Sequence, residues 1–379
     1  ADIKPFEKSD FENRHNQARS LMRKEGIDVL FLSGSTNLYY FSGINKGGRD
    51  RLFALLLPQI GAPTFICPAF EVPSVMELIK YGEEDLRTWE EHENPFKLTA
   101  DILQEKGIDK GVIGVDEHMP FWYYYKLSQA APQAKYRDAD IITHELRAVK
   151  SSKEIAFIRR AVDVTIQAYK ATLKTIHLGM SQGEFRRNFA SAASRLGSRG
   201  GGGASFGPAS SFVHGSIVEV PLEEGMVILM DCGCRVENYK ADVSRTITQG
   251  KPSDKVLKAW ETSRKAQLAG IKAVRPGAAC QEVDRAIRRV LEEEGYGPGY
   301  KNLGHRVGHG IGLDVHEGPW LVEGDTTPMK VGMTFAFDGA IQIPGEFGIR
   351  LEDDVVVTED GCEVFGNCLS SAIDKPFSC

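Results

Sequence analysis

The sequence predicts an α+β protein with two domains, of which the second contains an internal repeat. Three observations support this prediction: a length of 379 residues, an alternation of helix and strand patterns before residue 147, and a duplicated helix pair after residue 150. One hydrophobic core rarely organises so long a chain. We therefore expect an α/β domain over residues 1–147 and a second domain over residues 148–379.

Composition and charge exclude several classes of protein. With 42% hydrophobic and 26% charged residues, the chain has the composition of a folded globular protein. Its net charge of -6 at pH 7 offers no basic surface to a polyanion, so nucleic acid is not an expected partner. No apolar stretch approaches the ~18 to 20 residues that cross a bilayer, so we expect no membrane association.

The cysteines favour a reducing compartment. There are seven of them, an odd number, and their scattered positions do not suggest a disulfide framework. The chain begins with Ala1, which fits removal of an initiator methionine and fits equally the removal of an export signal. We expect a cytoplasmic protein, with export after signal cleavage as the alternative.

The first domain shows alternating helix and strand patterns. Residues 10–25 have the pattern of a helix that ends at Gly26, and the apolar segment IDVLFLSG follows as a buried strand. The segment ALLLPQIGAPTFICPAF predicts two strands around a Gly-Ala-Pro turn, and KGVIGVDEH predicts a strand after a helix at residues 96–106. Such alternation is typical of an α/β domain.

The second domain begins with a long helix and contains the repeat. Ser151 and Glu154 have the spacing of a capping box, and apolar residues recur after them at helical intervals. The segment AYKATLKTIHLGMSQGEFRRNF aligns with AQLAGIKAVRPGAACQEVDRAI at an offset of 98 residues, which pairs Gly179 with Gly277. The helix-turn-helix is therefore duplicated.

Each copy of the repeat is followed by a strand that ends in an acidic residue. The segments GMVILMDCG and GMTFAFDGA both open with Gly-Met and place an aspartate, Asp231 or Asp338, six residues after the glycine. Asp242 and Glu352 then lie on the predicted return strands. If the two halves pack about a pseudo-two-fold axis, these four carboxylates can converge at its centre.

Four converging carboxylates indicate a cation site. They cannot all stay ionised in a semi-enclosed cleft without positive charge, because like charges and burial raise the pKa of each carboxyl group. Divalent cations provide that charge, and a carboxylate-rich set with one imidazole suits Mn, Fe, Co or Zn. Carboxylates that can bridge favour two ions about 3.5 to 4 Å apart.

The imidazole is expected from the segment HRVGHGIGLDVHEGP, which contains His305, His309 and His316. Three of the nine histidines of the chain fall within these twelve positions, ahead of a strand that ends in an acid. The glycines among them permit close approach of the backbone. A surface loop with incidental histidines is the alternative interpretation.

Three ordered segments resemble the metal-binding segments of prolidase and aminopeptidase P, in the creatinase/aminopeptidase (pita-bread) family of metallopeptidases. They are MDCGCRVENYKADVSRT, HRVGHGIGLDVHE and GEFGIRLEDDVVVTEDG, and in the first the second aspartate stands eleven positions after the first, as in that family. The resemblance covers the whole second domain, and TNLYYFSGINKGGRDRLFALLLP resembles the creatinase-type N-terminal domain. It implies a two-domain metal-dependent hydrolase, prolidase-like or aminopeptidase P-like.

The resemblance also assigns ligands to the metal site. It makes Asp231, Asp242, His309 and Glu352 metal ligands, with Asp242 and Glu352 bridging two divalent ions. The ions would be manganese, with cobalt, iron or zinc as alternatives. The fifth ligand position falls on Asp338, where the family normally has glutamate in an E-P-G stretch and this chain has FDGA.

Further roles follow from the same resemblance. His305 and His316 would stabilise the tetrahedral intermediate and the substrate carboxylate or leaving nitrogen, and His214 would line the substrate pocket. Arg350 would orient the acidic ligands and act on the substrate, with a purely structural ion pair as the alternative. The resemblance further implies a small peptide substrate, cleaved before proline, and a homodimer.

The aspartate at position 338 leaves two interpretations of the activity open. The usual glutamate also carries a proton from the attacking water to the leaving amine, and aspartate is shorter by one methylene, about 1.5 Å of reach. Either the strand compensates and Asp338 does the same work, or the chain acts on another substrate. A creatinase-like hydrolase of a small non-peptide C–N bond and a catalytically silent binding homologue are the alternatives to a peptidase.

The glycine-rich segment SRGGGGASFGPASS at residues 198–211 lacks the Lys-Ser/Thr of a phosphate-binding loop. We expect it to form a flexible active-site loop that leads to His214. Cys232 and Cys234 alternate along a predicted strand, but without a second cysteine pair they do not predict a thiolate metal site.

Overall fold

In the computed structural model, residues 3–46, 50–79, 85–213 and 215–379 are described. The chain divides into two compact units, Lys4–Arg147 and Ala148–Cys379. None of the helices in these described ranges combines the length and the apolar character needed to span a lipid bilayer. His214 lies outside the described residues, so its predicted place in the substrate pocket has no structural description.

The first unit contains, among its described residues, a six-stranded sheet. Its helices are α1 (Lys8–Glu25), α2 (Thr36–Ser42), α3 (Val72–Met76), α4 (Pro95–Glu105), α5 (Phe121–Ala130) and α6 (Asp140–Ala148). Its strands are β1 (Val29–Ser33), β2 (Ala54–Pro58), β3 (Thr64–Pro68), β4 (Asp85–Trp89), β5 (Val112–Val115) and β6 (Lys135–Asp138). The strand order is β4-β3-β2-β1-β5-β6, with β2 antiparallel to both its neighbours.

The predicted elements of this unit form for the expected local reasons. Helix α1 ends where Gly26 takes a left-handed backbone with φ of 67°, and its amide closes the last turn on Met22. All five residues of β1 are buried, and its first four, Val29 to Leu32, are accordingly apolar. The core of this unit is one hydrophobic cluster that includes Phe31 of β1, Ile102 of α4 and Leu127 of α5.

The second unit contains four long helices and a large sheet. The helices are α7 (Ser152–Leu173), α8 (Gln182–Arg195), α9 (Asp254–Ala273) and α10 (Gln281–Glu293). The strands are β7 (Arg199–Phe206), β8 (Val227–Val236), β9 (Tyr239–Lys240), β10 (Val243–Thr248), β11 (Gly308–Gly310), β12 (Glu317–Leu321), β13 (Thr334–Asp338), β14 (Ile341–Ile343), β15 (Phe347–Ile349), β16 (Glu352–Val357) and β17 (Cys362–Val364). The main path of the sheet runs β12-β11-β13-β16-β10-β8-β7.

The strand order displays the duplication that the repeat predicts. Each half contributes a helix pair, α7–α8 or α9–α10, and then a strand that ends in or carries one of the acids, β8 or β13. The return strands β10 and β16 lie side by side and antiparallel at the centre, with β8 and β13 outside them. An antiparallel central pair is the arrangement that a two-fold axis between the halves requires.

The helices pack on one face of this sheet. From α7, Tyr169 donates a hydrogen bond from its hydroxyl to the Val243 carbonyl at 2.7 Å, and from α9, the indole N–H of Trp260 donates to the Thr246 carbonyl at 3.1 Å. On the same face, the fully buried Arg245 pairs with Asp353, at 2.6 Å between Nη2 and Oδ1. The opposite face is left for the cavity described below.

The glycine-rich segment differs from its prediction. Residues 199–206 form the edge strand β7, which pairs with β8 over its whole length, so the expectation of a flexible loop there is wrong. The glycines are required by close packing: at Gly202 φ is +105°, and an added Cβ would lie 2.1 Å from the Asp231 carbonyl oxygen. Sequence alone showed the glycines but not the strand that they pack against.

The cysteines also differ in part from the prediction. Cys368 and Cys379 form a disulfide bond near the end of the chain, which their scattered spacing did not predict. Cys232 and Cys234 are buried and unbonded, on the helix-covered face of β8. Burial raises the pKa of the Cys232 thiol, which keeps that sulfur protonated and unreactive.

Candidate active site

Strand register places four polar side chains in one row across the sheet. Asp231 on β8 lies opposite Ser244 on β10, Ser244 lies opposite Glu352 on β16, and Glu352 lies opposite Asp338 on β13. Residues directly opposite one another in antiparallel strands project to the same face. The two halves of the fold therefore deliver their acids to a single line on the face that the helices leave open.

The remaining acid and the histidine join this row from adjacent positions. Asp242 precedes Ser244 by two residues, and His309 lies opposite Ala336, two residues before Asp338, so alternation sends both to the same face. The Nε2 atom of His309 is 3.8 Å from Asp242 Oδ2 and 3.9 Å from Glu352 Oε1. Asp231, Asp242 and Glu352 each offer an oxygen within 4.8 Å of the others.

These residues line one cavity of about 450 Å³. His305, His316 and Arg350 lie in its wall together with the five predicted ligands, Asp231, Asp242, His309, Asp338 and Glu352. The structure thus brings together eight of the nine residues singled out from the sequence. The ninth, His214, follows Val213, which lines the same cavity.

Arg350 is the cation that faces this acidic row. It donates a hydrogen bond from Nη1 to Asp231 Oδ2 at 2.7 Å and from Nη2 to the Val213 carbonyl at 3.0 Å, and its Nε lies 3.5 Å from Asp338 Oδ2. Burial lowers the pKa of Arg350, but the surrounding carboxylates outweigh burial and raise it overall. The guanidinium therefore stays charged and fixes Asp231.

One guanidinium does not neutralise the row. Burial first, and then the neighbouring carboxylates, raise the pKa of Asp242 and of Glu352 well above the usual range. Ser244 partly opposes this by donating its hydroxyl to Glu352 Oε2 at 2.9 Å. Buried carboxylates with raised pKa and closely spaced oxygens are the donor set that holds divalent cations, so the residues present fit a metal centre.

His309 presents a neutral nitrogen to the acids. Its Nδ1 contacts the Gly310 carbonyl at 3.1 Å, and because a carbonyl only accepts, the proton must be on Nδ1 and the Nε2 lone pair faces the carboxylates. Burial, and then the neighbouring His316, lower the pKa of His309 to about 3. A neutral imidazole with a free Nε2 is the form that binds a metal.

The other two histidines of this segment line the cavity differently. The Nδ1 of His305 donates to the Arg306 carbonyl at 2.7 Å, while its Nε2 is buried and has no hydrogen-bond partner within the described ranges. The ring of His316 is more exposed and lies edge-on to His309, with centroids 4.2 Å apart. Both rings can therefore face a molecule that enters the cavity.

Asp338 is held at the end of β13. Its Oδ1 accepts a hydrogen bond from the Ala340 amide at 2.9 Å, and its own amide donates to the Val307 carbonyl at 2.9 Å. The side chain is 4% exposed and lines the cavity. The side chain is shorter than the glutamate expected at this position, and the Ala340 amide fixes one of its two carboxylate oxygens.

Sequence reasoning missed two groups that support the site. Asp354 is fully buried and accepts the Asp242 amide hydrogen at 3.0 Å on Oδ2. Lys150 and Glu317 form a buried ion pair at 2.7 Å, and Glu317 also accepts the Asp314 amide in the loop before His316. The alternation in LEDD signals that Asp354 shares a face with Glu352, whereas Lys150 and Glu317 are too far apart in sequence for any such signal.

The fold and this site together are those of a metallohydrolase. Residues 156–359 match Metallopeptidase family M24, and residues 14–149 match the creatinase/prolidase N-terminal domain. The first match covers more than half of the chain, so this chain belongs to metallopeptidase family M24. The resemblance and the fold class predicted from sequence are confirmed.

Relatives of similar length and fold support this assignment. An uncharacterized peptidase from Staphylococcus epidermidis is 28% identical over 354 residues, which cover 92% of this chain and 97% of that protein. The dipeptidase PepE from Mycobacterium ulcerans superposes with a TM-score of 0.88 at 28% identity, over 96% of this chain and 97% of that one. A prolidase from Thermococcus sibiricus gives 0.87 at 26% identity, covering 94% and 96%. A Xaa-Pro dipeptidase from Bacillus anthracis gives 0.84 at 26%, covering 94% and 97%.

Proposed function

We propose that this chain is a dinuclear metal-dependent hydrolase that cleaves Xaa-Pro dipeptides or removes an N-terminal residue before proline. One observation carries the proposal: the convergence of Asp231, Asp242, His309, Asp338 and Glu352 on one cavity. The solved structures of similar fold include proteins described as prolidase and Xaa-Pro dipeptidase, which supports the choice of substrate.

The five converging residues would hold two divalent ions, for which we propose manganese. Asp242 and Glu352 face the same Nε2 of His309 and have oxygens close to one another, which suits them to bridge. Asp231 and Asp338 lie at the two ends of the row and would complete the set of residues that holds the ions. When bound, such ions lower the pKa of water and polarise a substrate carbonyl.

The side chains of the cavity would perform the remaining steps. Asp338 would accept a proton from the attacking water and deliver it to the leaving nitrogen. Because the Nδ1 proton of His305 is bonded to the Arg306 carbonyl, the unpartnered Nε2 would donate to the substrate oxygen in the imidazolium form, which carries a proton on both ring nitrogens. His316 would contact the developing negative charge. Arg350 would hold Asp231 in place throughout, because that ion pair is already formed.

The preference for proline has a chemical basis. A bond to proline is a tertiary amide whose nitrogen carries no hydrogen, so an enzyme cannot recognise it through that N–H. Recognition must come from the shape of the cavity and from groups that bind the two ends of the substrate. A cavity of about 450 Å³ has room for a dipeptide.

The test is the release of free proline from a panel of Xaa-Pro dipeptides by the manganese-loaded protein. We expect release that is abolished in Asp242→Asn, because this change removes a carboxylate from the centre of the row. The matched control is Asp360→Asn, at an exposed aspartate outside the cavity, which should retain activity. The proposal fails if no dipeptide releases proline with manganese, cobalt, iron or zinc.

A second candidate function is favoured by Asp338. A shorter acid at this position is compatible with hydrolysis of a small non-peptide C–N bond, as in creatinase-like enzymes. The same protein assayed with creatine and ectoine beside the dipeptides separates the two functions. Turnover of these compounds without release of proline would favour the second candidate.

Two further properties remain predictions. We propose a homodimer and a cytoplasmic location. Light scattering during size-exclusion chromatography measures the first, and a mass near 42 kDa, that of one chain of 41.8 kDa, would contradict it. Cell fractionation measures the second, and recovery outside the cytoplasm would favour export.

A further inference from the structure

A second chamber adjoins the cavity of the candidate active site. It has a volume of about 620 Å³ and shares three wall residues with the first cavity: Val213, Asp231 and Arg350. Its other walls come from the start of α8, from β7 and from residues 212–219 on either side of the undescribed position 214. The two cavities therefore meet at the Asp231–Arg350 pair, and a substrate bound at the acidic row lies next to this chamber.

Arg186 reaches into this chamber around the edge of the sheet. Gly203 on β7 lies opposite Asp231, so a side chain at position 203 would project to the same face as the Asp231 carboxylate. A Cβ built on Gly203 would lie 3.5 Å from Nε and 3.9 Å from Nη2 of Arg186. The guanidinium of Arg186 thus lies where a side chain at position 203 would lie, next to Asp231.

The charges around Arg186 leave it available to a ligand. Across the described part of the chain, Arg186 makes neither a hydrogen bond nor an ion pair with another residue. The second arginine of the chamber, Arg350, is already paired with Asp231. The chamber also contains Glu219. A Cβ built on Gly183 would lie 2.6 Å from Oε1 of Glu219 and 3.4 Å from Nη1 of Arg187, so the guanidinium beside Glu219 at this point is that of Arg187.

We propose that Arg186 binds a carboxylate of the substrate and gives this chain a preference for peptides that carry that carboxylate. The inference rests on the proposed function, since it names the substrate class of the same site. Two groups of a peptide can supply the carboxylate: an acidic side chain at the residue before proline, or the carboxyl terminus. Arginine suits either one, because its planar fork can donate two parallel hydrogen bonds.

The experiment compares substrates that differ only in charge. Glu-Pro against Gln-Pro tests the side chain, and Gln-Pro against its C-terminal amide tests the carboxyl terminus. Manganese-loaded wild-type protein, Arg186→Gln and the control Arg187→Gln are compared for kcat/KM with each peptide. We expect wild type to favour the charged member of one pair by about fivefold, the size of effect typical of a solvent-accessible ion pair.

In Arg186→Gln this ratio should fall towards one, whereas Arg187→Gln should keep it. The inference is overturned if neither ratio changes in Arg186→Gln, or if both variants change it equally. If no peptide releases proline, the proposed function fails, and calorimetric titration of the same peptides gives the affinity ratios instead. A ratio that depends on Arg186 in that measurement supports the carboxylate site, and one that does not overturns it.

Discussion

Replacing Asp338 by glutamate, which adds one methylene, tests whether the site is built around the shorter side chain. In Asp338→Glu the carboxylate would move by about 1.5 Å, the length of one carbon–carbon bond. Asp338 is 4% exposed, its Oδ1 is bonded to the Ala340 amide at 2.9 Å, and its Oδ2 lies 3.5 Å from Arg350 Nε. The longer side chain must therefore give up the bond to Ala340 and crowd Arg350.

A displacement of ~1 Å at a reacting group costs about 10²-fold in rate. We therefore expect kcat for Asp338→Glu to fall by roughly 10²-fold, with a smaller change in KM. The assay is release of proline from the best dipeptide under saturating manganese, with metal content measured by elemental analysis. Asp338→Asn is the matched control, since it keeps the volume but cannot accept or deliver a proton, and kcat should fall by about 10² to 10⁴-fold.

A gain in kcat for Asp338→Glu at unchanged metal content would refute this reasoning. It would mean that the backbone does not compensate for the shorter acid and that Asp338 is a weakened proton carrier. Equal loss in both variants together with loss of metal would assign Asp338 to metal binding alone.

Three further predictions concern groups away from the reacting atoms. Arg245→Met should lower the free energy of unfolding by about 3 to 5 kcal/mol, because it leaves Asp353 buried without its charge partner. Urea denaturation measures this change. As the control, the double variant with Asp353→Leu should recover the lost free energy of unfolding. Asp354→Leu removes the acceptor of the Asp242 amide hydrogen and should weaken metal affinity by about 10- to 100-fold, as measured by competition titration. An unchanged affinity would mean that Asp354 contributes only to packing. Burial lowers the pKa of His15 to about 4, below its unfolded value of about 6.5, so the unfolded chain binds the extra proton between these values. Stability should fall by roughly 3 kcal/mol as pH drops from 6.5 to 4, and this contribution should be absent in His15→Gln.

Much of the candidate site was predictable because its residues repeat with the fold. The Gly-Met strands place Asp231 and Asp338 at equivalent points, and the duplicated helix pairs imply a two-fold arrangement that brings Asp242 and Glu352 to its centre. Periodicity and a capping box were enough to predict the helix at Ser152–Leu173. These signals are local or repeated, and a single sequence displays both kinds.

The unpredicted features depend on contacts between distant segments. Lys150 and Glu317 are far apart in sequence and come together only in the folded chain. Arg186 lies beside the site because Gly203, which pairs with Asp231, has no side chain to fill the space that its guanidinium occupies. The glycines of β7 suggested a loop, since a strand without side chains lacks the alternation that identifies strands. What decided the structure there was the tight packing of its backbone against β8.

The buried pair on the helix-covered face determines which acids reach the cavity. Along β16, Glu352 and Asp354 lie on the face of the cavity, and Asp353 points to the helices, where Arg245 holds it. A slip of β16 by one residue would exchange these directions for the whole strand. Two acids would then enter the apolar layer opposite a single guanidinium, and the cavity would keep only the central one. We therefore expect Arg245, which does not line the cavity, to favour the strand alignment that brings Glu352 to it, a role of specificity rather than of net stability.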